Sequence, residues 1–464
     1  MSDKRNKELF QRIAKLVREN KELTEKVKKL TEITENLTQE KEELKNKLSS
    51  DYPEKTIKTG KKPKTLSFNM VTVLFADIVG FKNISDQTNS QDMIDELDEI
   101  YFHFDNISKK YNIEKIKTIG DTYMCAGGVP EKNVTNSIDV VLAALEMREY
   151  LNQLKEKYKK EDKTFWDMKL GIHTGPVTAT SSGKKKISYD IKGDTVNIAS
   201  RMNSSGEPGK INISVMTYEL VKDFFTCDYH GKMPVKYIGD VEMYFVRRVK
   251  LALSVERKGI EANDIFNTKY ALRKFTDLQE IILDRLEKEL PGHLYYHNVK
   301  HTIDVVTQAE LIGLGEGVSD EDILLLKTAA LFHDAGHIIG YQDHELKSTH
   351  IAREYLPDYK YTPKQIDKIC AIIMATQLPP EPKTLLEKII CDSDLDYLGR
   401  SDFIPVSNTL YKELKEQNMI GTLNDWNKLQ IKFLSGHHYF TETAKSLREV
   451  NKQEQIERIK KLIE

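Results

Sequence analysis

The chain has 464 residues, 39% of them hydrophobic and 31% charged, with a formal net charge of −2. That length predicts two or three globular units, and the near-balance of charge gives no reason to expect nucleic acid or an anionic membrane as a partner. No apolar run approaches the roughly 20 residues of a membrane span, the polar start MSDKRNKELF does not read as a secretory signal, and Cys125, Cys227, Cys370 and Cys391 are scattered like the reduced thiols of a cytoplasmic protein.

Residues 1–50 carry a seven-residue period. Leu9, Leu16, Leu23, Leu30, Leu37 and Leu44 stand in register, and Ile13, Asn20, Val27, Thr34, Lys41 and Leu48 follow at a fixed offset. Taken as d and a positions, they predict a parallel dimeric coiled coil whose buried Asn20 fixes register. Residues 51–67, DYPEKTIKTGKKPKTLS, read as a linker. From 68 to 250 short apolar runs (VTVLFADI, IKTIGDTYMCAGG, MKLGIHTG, INIS, VEMYFVRRV) alternate with helical patterns at 91–110 and 134–158. This predicts an α/β sandwich. A second linker is expected at 251–264, and from 265 to 464 the pattern is all-α.

Asp77 ends an apolar strand and precedes Ile78, Val79, Gly80 and Phe81, while Asp121 follows Gly120 at a tight turn. Carboxylates at strand ends, each near a glycine that lets backbone approach phosphate, suit Mg²⁺ or Mn²⁺ bound with a triphosphate. Alone, such Asp-Gly turns are common structural features. FADIVGF (75–81), KTIGDTYMCAGG (117–128), LGIHTGPV (170–177) and YDIKGDTVNIASRMNSSG (189–206) follow one another in an order that resembles the class III nucleotide cyclase catalytic domain, a ferredoxin-like α/β fold.

That resemblance implies two metal ions at Asp77 and Asp121, with Ile78 as a further ligand and Gly80 and Phe81 lining the substrate. It implies in-line attack of the ribose 3′-hydroxyl of ATP on the α-phosphorus, giving cyclic AMP and pyrophosphate. Lys117 and Asp190 fall where the family contacts the purine. An ammonium donates to an adenine ring nitrogen and a carboxylate accepts from the exocyclic amine, whereas guanylate-specific relatives carry Glu and Cys-type residues there. Asn197 and Arg201 stand four apart on one expected helix face; by resemblance they orient the ribose and stabilise the transition state. Lys236 matches the lysine on the terminal phosphates. Lys169 stands where the family usually has arginine, keeping the charge but losing the bidentate grip. The family takes its metal aspartates from one subunit and Lys117, Asp190, Asn197 and Arg201 from the other, implying the homodimer that the heptads predict.

Further along, His297 and His301 are four apart in YHNVKHTIDV and are expected to share a helix face; His333 and Asp334 lie in LFHDAGH, and Asp394 in CDSDLDYLGR. Such ligands suit Mn²⁺, Fe²⁺, Mg²⁺ or Zn²⁺, although each histidine taken singly reads as structural. Together they resemble the H…HD…D pattern of HD-domain metal-dependent phosphohydrolases, which implies metal binding by His301, His333, Asp334 and Asp394, with Asp392 as the alternative to Asp394. YHNxxH and MATQL (374–378) resemble the cyclic-nucleotide phosphodiesterase branch. That implies His297 as the general acid on the leaving 3′ oxygen and Gln430 with Phe433 at the base, although Gln377 replaces a usual aspartate. His337 and His344, ahead of His350, are expected at a second metal position. The expected activity is an adenylate cyclase whose HD domain hydrolyses cyclic AMP or a related phosphoester, or alternatively senses a ligand without hydrolysis.

Overall fold

The structure, a computed structural model, describes residues 65–79, 90–161, 165, 167–182, 188–235 and 239–463. The expected coiled coil, with Gly80, Phe81 and Lys236, lies outside the described residues.

Strands β1 (Thr65–Ile78), β2 (Glu114–Ile119), β3 (Thr122–Gly127), β4 (Met168–Ser182), β5 (Ser188–Lys192), β6 (Ile211–Ser214), β7 (Phe225–Val235) and β8 (Gly239–Val249) form one mixed sheet. Its order is β2-β3-β1-β4-β6-β8-β7, with β5 added to β4. The β4–β6 pairing is parallel and the others are antiparallel. Period-2 alternation in β1 sorts its side chains. Leu74, Ala76 and Ile78 join the core with residues of α1 (Ser90–Lys110) and α2 (Asn136–Lys160). Val73 and Phe75 meet Ala199 of α3 (Asp194–Ser204) on the other face, and the short α4 (Val215–Val221) follows β6. Asp77 continues that second series, so strand geometry aims it at the α3 side.

Two glycines of the LGIHTG run let α3 lie close on β4. A Cβ placed on Gly171 would meet the Asn203 Cβ at 2.6 Å and its backbone closer still, and one on Gly175 would meet Thr195 Oγ1 at 2.6 Å. The Thr195 hydroxyl donates to the Pro176 carbonyl at 2.6 Å, pinning the first turn of the helix.

Residues 251–264, the expected linker, are in part regular turns. They include two short 3₁₀ turns, a bridge between Ser254 and Ala262, and a buried Leu253. They lead into α5 (Asp264–Glu289), capped by Asn263, whose side chain accepts from Phe266 N–H. The helical region continues with α6 (Val299–Gly315), α7 (Asp320–Phe332), a 3₁₀ turn at Ala335–Ile338, α8 (His344–Tyr355), α9 (Pro363–Met374), α10 (Leu385–Asp394), α11 (Phe403–Glu416), α12 (Leu423–Gly436) and α13 (Val450–Lys460). Its core gathers Leu278, Ile282, Val305, Leu325, Ala329, Ile369 and Ile389. Among the described residues no helix is long and apolar enough to cross a membrane.

Candidate active sites

The sheet builds the first site. Asp77 is paired in register with Thr122 of β3 on one side and Lys169 of β4 on the other, so the three side chains share one face. Asp121 occupies the turn just before Thr122. Gly120 makes that turn at φ +60°, and Tyr101 of α1 donates its hydroxyl to the Asp121 carbonyl at 2.5 Å. Burial raises the Asp77 carboxyl above its ordinary range, and the Asp121 charge adds to it; Thr122, Asn203 and Lys169 oppose them. Asp77 Oδ1 is buried without a partner. A carboxylate pair under mutual repulsion, with one orphaned oxygen, fits a divalent cation.

Lys117 stands at an irregularity in the β2–β3 register, a bulge that re-aims it toward β5. Its ammonium donates to Asp190 Oδ1 at 2.8 Å, and both side chains remain more than 40% exposed, available to a ligand. Asn197 and Arg201 lie on exposed positions of α3, as the four-residue spacing requires. Arg201 donates to the Pro234 carbonyl at 3.2 Å. Lys169 Nζ reaches the Ser204 carbonyl at 3.5 Å. Ile78 is buried in the core, leaving only its backbone for a ligand role. Asn203 escaped the sequence reading: it is fully buried beside Asp77 with its Oδ1 unpartnered, and nothing in MNSSG marks it out.

Helix ends build the second site. His297 does not share a helix with His301. Asn298 caps α6, accepting from the Lys300 and His301 amides, so His297 precedes the first turn. The two rings nevertheless converge, with centroids 5.9 Å apart. His333 follows the last residue of α7. Its Nδ1 lies 2.8 Å from the Ala330 carbonyl, so Nδ1 donates there and Nε2 turns inward. That Nε2 sits 3.2 Å from His301 Nε2, 3.2 Å from Asp334 Oδ2 and 3.5 Å from Asp394 Oδ1. His301 Nε2 is 3.3 Å from Asp334 Oδ2 and 3.1 Å from Asp394 Oδ1.

Burial alone would lower both histidines, but the two carboxylates outweigh it and hold His301 above, and His333 well above, the ordinary value. The histidines in turn overcome the burial that would raise Asp334 and Asp394, holding both below the usual carboxylate range. Convergent imidazole nitrogens and carboxylate oxygens in a buried cluster are a donor set that fits a divalent metal.

His344 Nε2 lies 3.3 Å from Asp334 Oδ1, and the His337 ring stacks on it at 4.1 Å. His337 is buried with neither nitrogen partnered, and burial pushes it down to about 3. A neutral imidazole with a free lone pair fits a ligand role. His350 is exposed on α8. Gly336 permits this arrangement: a Cβ there would meet Ser348 N at 2.8 Å and the His344 carbonyl closer still. Asp392 is committed elsewhere, accepting from the Phe440 and Thr441 amides, so Asp394 is the carboxylate at the centre.

Glu413 of α11 is the residue of this second site that sequence reasoning missed. Fully buried, it accepts from the Tyr296 amide at 2.9 Å and the His297 amide at 3.2 Å, and its Oε1 is hydrogen-bonded to His297 Nδ1. Burial would raise its carboxyl, but the His297 contact overrides that and holds it low. Nothing local in YKELKEQ distinguishes Glu413 from its surface neighbours. Beside the cluster opens a cavity of about 510 Å³, lined by His297, Asp394, Gln377, Phe403, Gln430 and Phe433. Gln430 accepts from the Ser407 hydroxyl, which itself accepts from Trp426 Nε1–H at 3.1 Å.

Comparison with known proteins follows the same division. Residues 64–248 match the adenylate and guanylate cyclase catalytic domain, and residues 298–396 match the HD domain. Over 213 residues the chain is 34% identical to the receptor-type guanylate cyclase gcy-8 of Caenorhabditis elegans, covering 45% of this chain and 18% of that protein. Over 185 residues it is 35% identical to an adenylate cyclase of Mycobacterium tuberculosis, covering 40% of this chain and 41% of that one. The guanylate cyclase domain of RhGC from Catenaria anguillulae, solved in complex with GTP, is 34% identical with a TM-score of 0.37, over 40% of this chain and 100% of that one. The chain thus spans less than half the length of either curated relative. A class III adenylate/guanylate cyclase catalytic domain, followed in the chain by an HD domain, is what this sequence encodes.

Proposed function

We propose that the protein is an adenylate cyclase, converting ATP to cyclic AMP and pyrophosphate at a homodimer interface, and that its HD domain hydrolyses a cyclic nucleotide. The observation carrying the adenine choice is the Lys117–Asp190 pair, one donor and one acceptor 2.8 Å apart at an exposed position. Adenine offers a ring-nitrogen acceptor beside an amino donor, the complement of that pair; guanine reverses both. Divalent ions held by Asp77 and Asp121, Mg²⁺ or Mn²⁺, supply positive charge to the ribose 3′-hydroxyl and the phosphates. Asn197 orients the ribose, and the Arg201 guanidinium meets charge developing on the α-phosphate. Lys169 and Lys236 neutralise the terminal phosphates. The heptads of residues 1–50 hold two chains together, so each site can take its carboxylates from one protomer and its base-reading pair from the other.

In the HD domain His301, His333, Asp334 and Asp394 hold a divalent metal, with His337 and His344 beside it, and that metal supplies Lewis acidity toward the phosphoryl oxygens. As a water oxygen bonds to phosphorus and the bond to the 3′ oxygen breaks, His297, held by Glu413, would deliver a proton to that departing oxygen. Gln430 and Phe433 take the base in the adjoining cavity.

One assay tests both halves: wild type, Asp77→Ala and Asp334→Ala, each given ATP with Mn²⁺, and separately GTP. Wild type is expected to make cyclic AMP in preference to cyclic GMP, Asp77→Ala none, and Asp334→Ala to accumulate more. Activity surviving in Asp77→Ala, or a preference for GTP, overturns the adenylate cyclase reading. Equal cyclic AMP per pyrophosphate released in wild type and Asp334→Ala removes cyclic AMP as the HD substrate.

A further inference from the structure

Helix α5 belongs to two hydrophobic cores at once. Near its start Phe266 is buried in the cyclase core, its ring 5.0 Å from Phe224 and 6.2 Å from Phe225. Further along, Phe275, Leu278, Ile282 and Leu286 are buried in the core of the helical region. There α5 packs on α7, which leads into His333, and on the 335–338 turn that carries His337. The helix is unbroken over its 26 residues, a rod about 39 Å long at 1.5 Å per residue.

Two polar clamps tie this rod to the start of α2. Tyr270 donates its hydroxyl to Asp139 Oδ1 at 2.7 Å, and the Thr135 hydroxyl donates to Asp139 Oδ2 at 3.0 Å. The Asp277 carboxylate accepts the Val134 amide, with its two oxygens at 3.1 and 3.2 Å. Next in the chain, Asn136 accepts from the Thr72 hydroxyl at 2.6 Å, and Thr72 lies on β1, the strand that carries Asp77. Alongside the clamps a cleft of about 1440 Å³ separates Arg148 and Glu149 of α2 from Tyr359 and Lys360 of the helical region. Movement of α5 therefore reaches α2 at the clamps, since open space flanks them.

We propose that α5, through the Tyr270–Asp139 and Asp277–Val134 clamps, transmits the state of the histidine–aspartate centre to the cyclase carboxylate Asp77. Both ends of the rod are embedded in close-packed cores, which shift between discrete arrangements and do not absorb a displacement continuously. The proposal rests on the cyclase reading given above.

The test uses the full chain and measures pyrophosphate release from ATP with Mn²⁺, which reports cyclase turnover whatever becomes of cyclic AMP. Four proteins are compared: wild type, Asp334→Asn, the clamp variant Tyr270→Phe with Asp277→Asn, and all three substitutions together. Asp334→Asn is expected to change the rate by roughly fivefold or more with the clamps intact, the low end of coupling between sites. With the clamps removed the same substitution is expected to change it by less than about 1.5-fold, as for independent positions. Equal factors in the two backgrounds, or no effect in either, overturn the proposal. Amide hydrogen exchange over residues 134–141 provides a readout independent of activity: Asp334→Asn is expected to alter protection there, and unchanged protection counts against coupling. If wild type releases no pyrophosphate, the cyclase reading falls, while the exchange measurement still decides whether the two regions are coupled.

Discussion

Gly171→Ala tests whether the close seat of α3 on β4 sets the cyclase geometry. The added Cβ would stand 2.6 Å from the Asn203 Cβ and nearer to its backbone, where carbon atoms normally rest about 3.5–4.0 Å apart. Flanked by strands on either side, β4 has no room to yield, so α3 must retreat by about 1 Å or more. Overpacking of this kind costs about 1–3 kcal/mol, and each kcal/mol lowers Tm by about 2–4 °C in a domain of this size. The larger effect falls on chemistry. Helix α3 carries Asn197 and Arg201 and places Asn203 against Asp77, and a misplacement of about 1 Å at a reacting centre costs on the order of 10²-fold in rate. Pyrophosphate release under saturating ATP and Mn²⁺, paired with a thermal melt, measures both. Gly436→Ala is the control, because a Cβ there meets nothing within 4 Å. Wild-type turnover and Tm in Gly171→Ala would refute the reasoning.

Three further outcomes are expected. Lys117→Ala removes a charged donor to the base, worth about 1.5–3 kcal/mol; kcat/KM for ATP should fall by roughly 10–100-fold with little change for GTP, and parallel losses for both nucleotides would contradict base reading. Glu413→Gln keeps the shape but removes the charge that holds His297, so hydrolysis of added cyclic AMP should fall by roughly 10–100-fold; undiminished hydrolysis would mean His297 needs no such support. Asp139 is raised to about 6, chiefly by burial and against the Tyr270 and Thr135 hydroxyls and the Lys274 and Lys360 charges. Because its folded value lies above its unfolded one, stability is fullest below about pH 4 and is lost as pH rises through about 6, by up to about 3 kcal/mol. Asp139→Asn should lack that loss, so the gap between the two unfolding curves should widen in its favour from pH 4 to pH 6; a constant gap would show that Asp139 does not titrate there.

Much of this molecule was legible in one dimension because its signals are local. Period-2 apolar runs and helical spacings marked β1, β3, β4 and α2. Asp77, Asp121, His333 and Asp334 each read singly as structural; they stood out because their motifs, taken in order, resemble the cyclase and HD families. What stayed hidden depends on pairings distant in the chain. Glu413 becomes part of a site only because α11 folds back over Tyr296 and His297. Asn203 matters only because Gly171 lets a helix lie against the strand beside Asp77, and the choice of Asp394 over Asp392 turned on amides at 440 and 441 claiming the latter. That Leu253 is buried in the turns of 251–264, and that Phe266 at the start of α5 joins the cyclase core, likewise depends on partners distant in the chain. Sequence alone determined which groups could do chemistry; burial and register, which set distance and charge, decided which of them meet and joined two domains through one helix.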